Sequence, residues 1–167
     1  MKKILSLTLA LAMLGTALTG CGSKTAAPET SVEPTQQTAP YQQEQSQTEK
    51  ALALINTFAT DDTDTARGLL ADGYIQHNLA YGTGADAFIG SVEYLASADV
   101  KTTVNNIRAF EDGDKVFLQT VYNFAGAGEQ VAFDIFRFDE NGKIAEHWDV
   151  METIADQSTW QNQNGKF

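Results

Sequence analysis

Acid–base chemistry in this chain rests on few side chains: there are two histidines, His77 and His147, and one cysteine, Cys21. Asp134 lies in the run Val131-Ala132-Phe133-Asp134-Ile135-Phe136-Arg137-Phe138, an acid among large apolar neighbours on a strand expected to be buried. Desolvation raises the pKa of such a carboxyl, the condition for it to take up and return a proton near neutral pH. The alternative is a structural acid, hydrogen-bonded to backbone or to Tyr74. His77, in Tyr74-Ile75-Gln76-His77-Asn78, reads as a hydrogen-bond donor at a pocket mouth beside Asn78, or as a surface residue. No metal-ligand spacing joins His77, His147 and Asp134, so no metal is expected. A lone cysteine excludes a multi-cysteine zinc site and an intrachain disulfide. No Ser/His/Asp motif is present, and Gly82-Thr83-Gly84 reads as a turn before a helix, not a phosphate loop. The expected chemistry needs no cofactor.

These residues require elements to position them. A helix capped by Thr48 would put Leu52, Ile55, Phe58 and Ala59 on one face. A second, short helix is expected over 63–70, stopped near Gly73. A third starts near Gly84, with Asp86 in its first turn and an apolar stripe through Ala85, Phe88, Ile89, Val92 and Leu95. After Asp99 the pattern turns to strands over 101–110, 115–124, 130–138 and 143–150. Turns at Glu111-Asp112-Gly113-Asp114 and Asp139-Glu140-Asn141-Gly142 separate them, with Ala125-Gly126-Ala127-Gly128 between the middle pair. Helices followed by a hairpin-connected antiparallel sheet make the class α+β. Strands 115–124 and 130–138 are apolar on both faces, so the second face needs a cover, and a homodimer through the sheet is expected.

The last hairpin has two registers. A type I turn with Gly142 in a left-handed bulge opposes Asp139 to Lys143 and Asp134 to Trp148. A two-residue turn at Asn141-Gly142 instead gathers Asp134, His147 and Asp149, with Arg137 against Glu146. The first collects the large apolar residues on one face and is preferred; it puts Trp148 in the pocket and turns His147 away.

The Tyr74-x-x-His77-Asn78 motif and the ending "Asp-Ile-Phe-Arg-Phe … Gly-Lys-Ile-x-Glu-His-Trp-Asp" resemble the SnoaL-like family, within the group related to nuclear transport factor 2 and ketosteroid isomerase. The resemblance covers about residues 51–156. It implies three N-terminal helices packed into a curved antiparallel sheet, a cone with a small-molecule pocket at its open end, commonly in a dimer. For polyketide-cyclase members it implies an Asp acid/base in an aldol-type reaction, assisted by a His; carried over, these are Asp134 and His77. Tyr74, Asn78, Tyr122, Phe136 and Trp148 are the expected substrate-binding residues. The family often has a His on the preceding strand, and Val116-Phe117-Leu118-Gln119-Thr120-Val121-Tyr122 has none. The same fold hosts isomerases, cyclases and non-catalytic binding domains, so a ligand- or partner-binding module is the alternative to acid/base chemistry on a carbonyl compound.

With 167 residues, the chain has room for one modest core. Its 22 acidic against 11 basic residues exclude nucleic acid as a partner. Met1-Lys2-Lys3 and an apolar run end in Leu18-Thr19-Gly20-Cys21, a secretory-signal layout that resembles the lipobox of bacterial lipoproteins. That resemblance implies cleavage after residue 20, a lipidated Cys21, and an extracytoplasmic protein held to the membrane by its acyl chains. Residues 21–50 hold all three prolines and read as a disordered tether. The domain is expected over 51–157, and 158–167 as a tail that frays.

Overall fold

The computed structural model describes residues 44–167. The expected signal, Cys21 and most of the tether lie outside the described residues. Helix α1 (Gln47–Thr60) is capped by Ser46, not Thr48. The Ser46 hydroxyl accepts from the Glu49 N–H, and the Glu49 carboxylate accepts from the Ser46 N–H. This reciprocal Ser-x-x-Glu pairing is worth about 1 kcal/mol to a helix start. Thr48 instead donates to the Glu111 carboxylate. Helix α2 (Thr63–Leu69) starts at Asp62, whose carboxylate accepts from the Thr65 N–H.

Strand β1 (Leu70–Gln76) follows at once, where a helix end and a loop are expected from the sequence. Asp72 and Gly73 are poor strand formers, and the pairing is irregular between Leu70 and Ile75, so the segment carries no clean alternation. Helix α3 (Ala85–Ala96) begins at Gly84, whose φ of 93° is open to glycine and unfavourable for other residues. Strands β2 (Thr103–Asp112), β3 (Lys115–Asn123), β4 (Gln130–Phe138) and β5 (Ile144–Thr153) form the expected antiparallel meander. The order is β1-β5-β4-β3-β2, with β1 parallel to β5. The α+β class holds, but the sheet is mixed rather than wholly antiparallel.

Alternation along the strands sends Val116, Leu118, Thr120 and Tyr122 of β3, with Ala132, Asp134, Phe136 and Phe138 of β4, to the face covered by α1 and α3. Leu54, Val92, Val116, Leu118, Phe136 and Ile144 are sealed from solvent there. Burial of a side chain the size of Phe136 contributes about 2–3 kcal/mol.

The β4–β5 register corrects the preferred expectation, and the cause is local. The turn itself has the expected form: the Asp139 N–H donates to the Lys143 carbonyl, and Gly142 has φ 68°. Phe138 pairs with Ile144, but Arg137 then pairs with Glu146. Ala145 is therefore an extra, unpaired residue, a β-bulge. Beyond it the register is the other one: Phe136 opposes His147 and Asp134 opposes Asp149, while Trp148 turns to the outer face.

The tail makes a few contacts with the strands before it. Trp160 Nε1 donates to the Ala155 carbonyl, Gln119 Nε2 to the Lys166 carbonyl, and Lys166 pairs with Glu152. The last residues thus fold back against the outer face of β3 and β5. Away from them, Phe110, Phe117, Phe133 and Val150 remain exposed, Phe133 to 55% and Val150 to 72%.

Candidate functional site

Between the inner face of the sheet and helices α1 and α3 lies a cavity of about 620 Å³. Its walls are largely aromatic, with Phe58 of α1, Phe88 and Tyr94 of α3, and Phe124 after β3. Its central polar groups come from four neighbouring strands: Tyr74 and Gln76 of β1, His147 and Asp149 of β5, Asp134 of β4 and Tyr122 of β3. These strands are adjacent in the sheet, so alternate side chains along each converge on one patch.

Asp134 is buried, at 3% exposure. Tyr122 Oη donates to its Oδ2 at 3.0 Å, and His147 Nε2 lies 3.2 Å from its Oδ1. The imidazole's protonation follows from Gln76. The Asn78 N–H donates to Gln76 Oε1 at 2.9 Å, which fixes the amide with its nitrogen toward His147 Nδ1, 3.0 Å away. Gln76 Nε2 therefore donates to Nδ1, which must carry a lone pair. In the neutral imidazole the proton is then on Nε2, donated to Asp134. The second hydrogen of Gln76 Nε2 faces Tyr74 Oη at 3.3 Å. Tyr74 accepts there and keeps its own proton for the cavity.

Burial, reinforced by nearby carboxylates, fixes the charge states of the tyrosines. Tyr122 is held well above the usual phenol range by desolvation, then by the charge and hydrogen bond of Asp134. Tyr74 is raised by desolvation, then by Asp149 and Asp134. Both remain donors across physiological pH. Asp149 is half-buried; desolvation pushes its carboxyl up, against the opposing effects of His147 and of Asn78, whose Nδ2 donates to Oδ1 at 2.6 Å. Donor atoms of Asp134, His147 and Asp149 lie within 4.8 Å of one another, the one grouping among the described residues that offers three ligands for a metal ion. In the hydrogen-bonded arrangement both ring nitrogens of His147 are engaged, so this network is arranged to hold a proton.

The sequence-predicted residues divide. Asp134, Tyr74, Tyr122 and Phe136 converge on the cavity. Asn78 reaches it through Asp149. His77, expected at the pocket mouth, and Trp148, expected inside, meet on the opposite face, where their rings stack at 4.5 Å. His77 there pairs with Glu146, which Arg137 also holds, and these two partners draw the Glu146 carboxyl below its usual range. For Trp148 the physical reason is the Ala145 bulge, which exchanges the faces of His147 and Trp148; His77 directly follows the inward-facing Gln76 and so takes the other face. The imidazole at the cavity is His147. Sequence reasoning misses Gln76 as a site residue and reaches Asp149 only through the hairpin register it does not prefer; their signal is the two-residue spacing from Tyr74 and from His147.

The sequence model of the SnoaL-like domain matches residues 51–147. Among solved structures, an NTF2-like protein of unknown function from Cytophaga hutchinsonii is similar with a TM-score of 0.57 and 16% identity, over 66% of this chain and 94% of that one. An LEH-like epoxide hydrolase from M. tuberculosis is similar with a TM-score of 0.56 and 18% identity, over 64% of this chain and 82% of that one. IdmH, a putative polyketide cyclase from Streptomyces antibioticus, is similar with a TM-score of 0.53 and 18% identity, over 65% and 93%. At these identities the likeness establishes the fold. A search of the curated proteins gives no match.

The Gln76 geometry makes a prediction. In Gln76→Glu the side chain accepts at Nδ1 instead of donating, so Nδ1 must become protonated. Imidazole 15N shifts read this directly, since the chain has two histidines and His77→Gln assigns them. The wild type is expected to show a lone pair on His147 Nδ1 and the variant a proton there. The same pattern in both would contradict the orienting role of Gln76.

Proposed function

The chain belongs to the SnoaL-like domain family, and we propose on that footing that its cavity is the site of cofactor-independent acid–base chemistry on an apolar carbonyl compound, of the isomerase or cyclase type. The observation that carries this reading is a buried carboxylate, Asp134, at a largely apolar cavity, receiving hydrogen bonds from Tyr122 and His147. Asp134 takes a proton from the carbon next to the carbonyl. The C–H electron pair becomes the enolate double bond, and the carbonyl oxygen takes the negative charge. The free proton of Tyr74 is the donor for that oxygen, in a site where desolvation strengthens the bond. Protonated Asp134 then returns the proton to another carbon, giving an isomer; in the cyclase case the enolate carbon attacks a second carbonyl and the proton goes to the new alkoxide. His147, through its Nε2 contact with Oδ1, keeps the carboxylate oriented.

The test needs no knowledge of the natural substrate. Exchange of α-protons into D₂O is followed by NMR for a panel of bicyclic ketones. The wild type is expected to accelerate exchange for at least one member, and Asp134→Asn to lower that rate by about 10²–10⁴, the usual worth of general acid–base catalysis. Binding with no exchange anywhere in the panel would favour a ligand-binding module instead.

Two proposals concern the protein's surroundings. The run ending in Leu18-Thr19-Gly20-Cys21 supports lipid anchoring outside the cytoplasm, so the mature chain is expected in the bacterial membrane fraction and Cys21→Ala in the soluble one. Equal partition of the two would rule this out. The exposed Phe110, Phe117, Phe133 and Val150 support a second copy as cover for the outer sheet face. Sedimentation at tens of micromolar should give a dimer that Phe133→Asp dissociates; a monomeric wild type would end that reading.

A further inference from the structure

We propose that the cavity selects a positively charged ligand, an apolar ring body bearing one ammonium group, and that Asp149 is the residue that binds the charge. The inference rests on the reading of the cavity as a substrate site and adds the chemical class of the substrate. Three observations carry it. First, the cavity holds two carboxylates, Asp134 and Asp149, with no lysine or arginine among its lining residues. Second, the two carboxylates are not equally compensated. Asp134 receives hydrogen bonds on both oxygens, from His147 and from Tyr122. Asp149 receives one, from Asn78 on Oδ1, and its Oδ2 has no hydrogen-bond partner among the described residues. Third, both ring nitrogens of His147 are committed elsewhere, Nδ1 to Gln76 and Nε2 to Asp134, so His147 makes no hydrogen bond to Asp149.

A half-buried carboxylate that no lysine or arginine faces is unfavourable in the empty protein, and burial raises the Asp149 carboxyl despite the opposing effects of His147 and Asn78. A ligand ammonium would remove that cost by pairing with Oδ2. Aromatic walls suit the same ligand, since ring faces attract cations through their quadrupole. An anionic ligand, such as a carboxylate or a phosphate ester, would bring a third negative charge among the two already present. The net charge of −11 on the whole chain repels anions and draws cations in the same sense.

The substrate class is thus an amine-bearing carbonyl compound, with its ammonium at Asp149 and its carbonyl at Tyr74. The ammonium needs Oδ2 of Asp149 alone and leaves the partners of Asp134 and His147 in place. The experiment is isothermal titration of the full-length chain with three ligands of one shape: 1-naphthylmethylamine, 1-naphthylmethanol and 1-naphthoate. The amine is expected to bind at least about tenfold more tightly than the alcohol, and the carboxylate more weakly than both. Asp149→Asn should bring the amine to the level of the alcohol, with a circular dichroism spectrum matching the wild type showing that the variant is folded. Asn78→Ala, which frees Oδ1 and keeps the carboxylate, should retain the preference for the amine. Equal binding of amine and alcohol by the wild type would overturn the charge selection and leave the cavity reading intact. A preference for the amine that survives Asp149→Asn would overturn the role of Asp149. Binding of none of the three would remove the cavity reading together with the inference.

Discussion

Which side chains face the cavity is decided by one unpaired residue in β5. On the turn side of Ala145 the hairpin pairs as its type I turn dictates, Phe138 against Ile144; beyond it, Arg137 pairs with Glu146. Strand side chains alternate with a period of two, so one inserted residue exchanges the faces of everything after it. Ile144 can then seal the core while His147 and Asp149 also point inward. Without the bulge, the same sequence would present Trp148 and Val150 to the cavity and leave Asp134 without its imidazole. The outward turn of Trp148 is used as well, since it stacks on His77 beside the Glu146–Arg137 pair.

From that placement follows a chain of fixed protons. A backbone N–H at Asn78 orients the Gln76 amide, the amide sets the lone pair of His147 on Nδ1, and the imidazole proton is left to Asp134. Tyr122 completes the carboxylate's partners from β3. Buried polar networks of this kind cost free energy when one member is unsatisfied and specify a single arrangement when all are satisfied. Here the order runs β1, β5, β4, β3, following the order of strands in the sheet. The parallel strand β1 is what places Gln76 beside His147.

Much of this is legible in the sequence, and the failures are specific. The meander, the three helices and Asp134 as an inward acid follow from alternation, turn residues and helical spacing. Strand β1 does not, because Asp72 and Gly73 interrupt any strand pattern and its pairing is irregular. The cap at Ser46 is signalled by Glu49 three residues later, within a segment whose glutamines read as tether. The exchange of His147 for His77 has a different origin. The turn has the form its residues predict, but a bulge at an alanine leaves no mark in an apolar-and-polar pattern, so a register carried past Ala145 is off by one. Tyr74, Tyr122 and Phe136 are unaffected because they lie on strands whose parity does not depend on β5.

Most depends on where the protons sit between Gln76, His147 and Asp134. Neutron diffraction from a perdeuterated crystal near neutral pH would place them. Deuterium on His147 Nε2 and on Tyr122 Oη, both directed at an ionised Asp134, with none on Nδ1, is the predicted result. Deuterium on Nδ1, or on the Asp134 carboxyl, would contradict it and with it the assignment of Asp134 as the base.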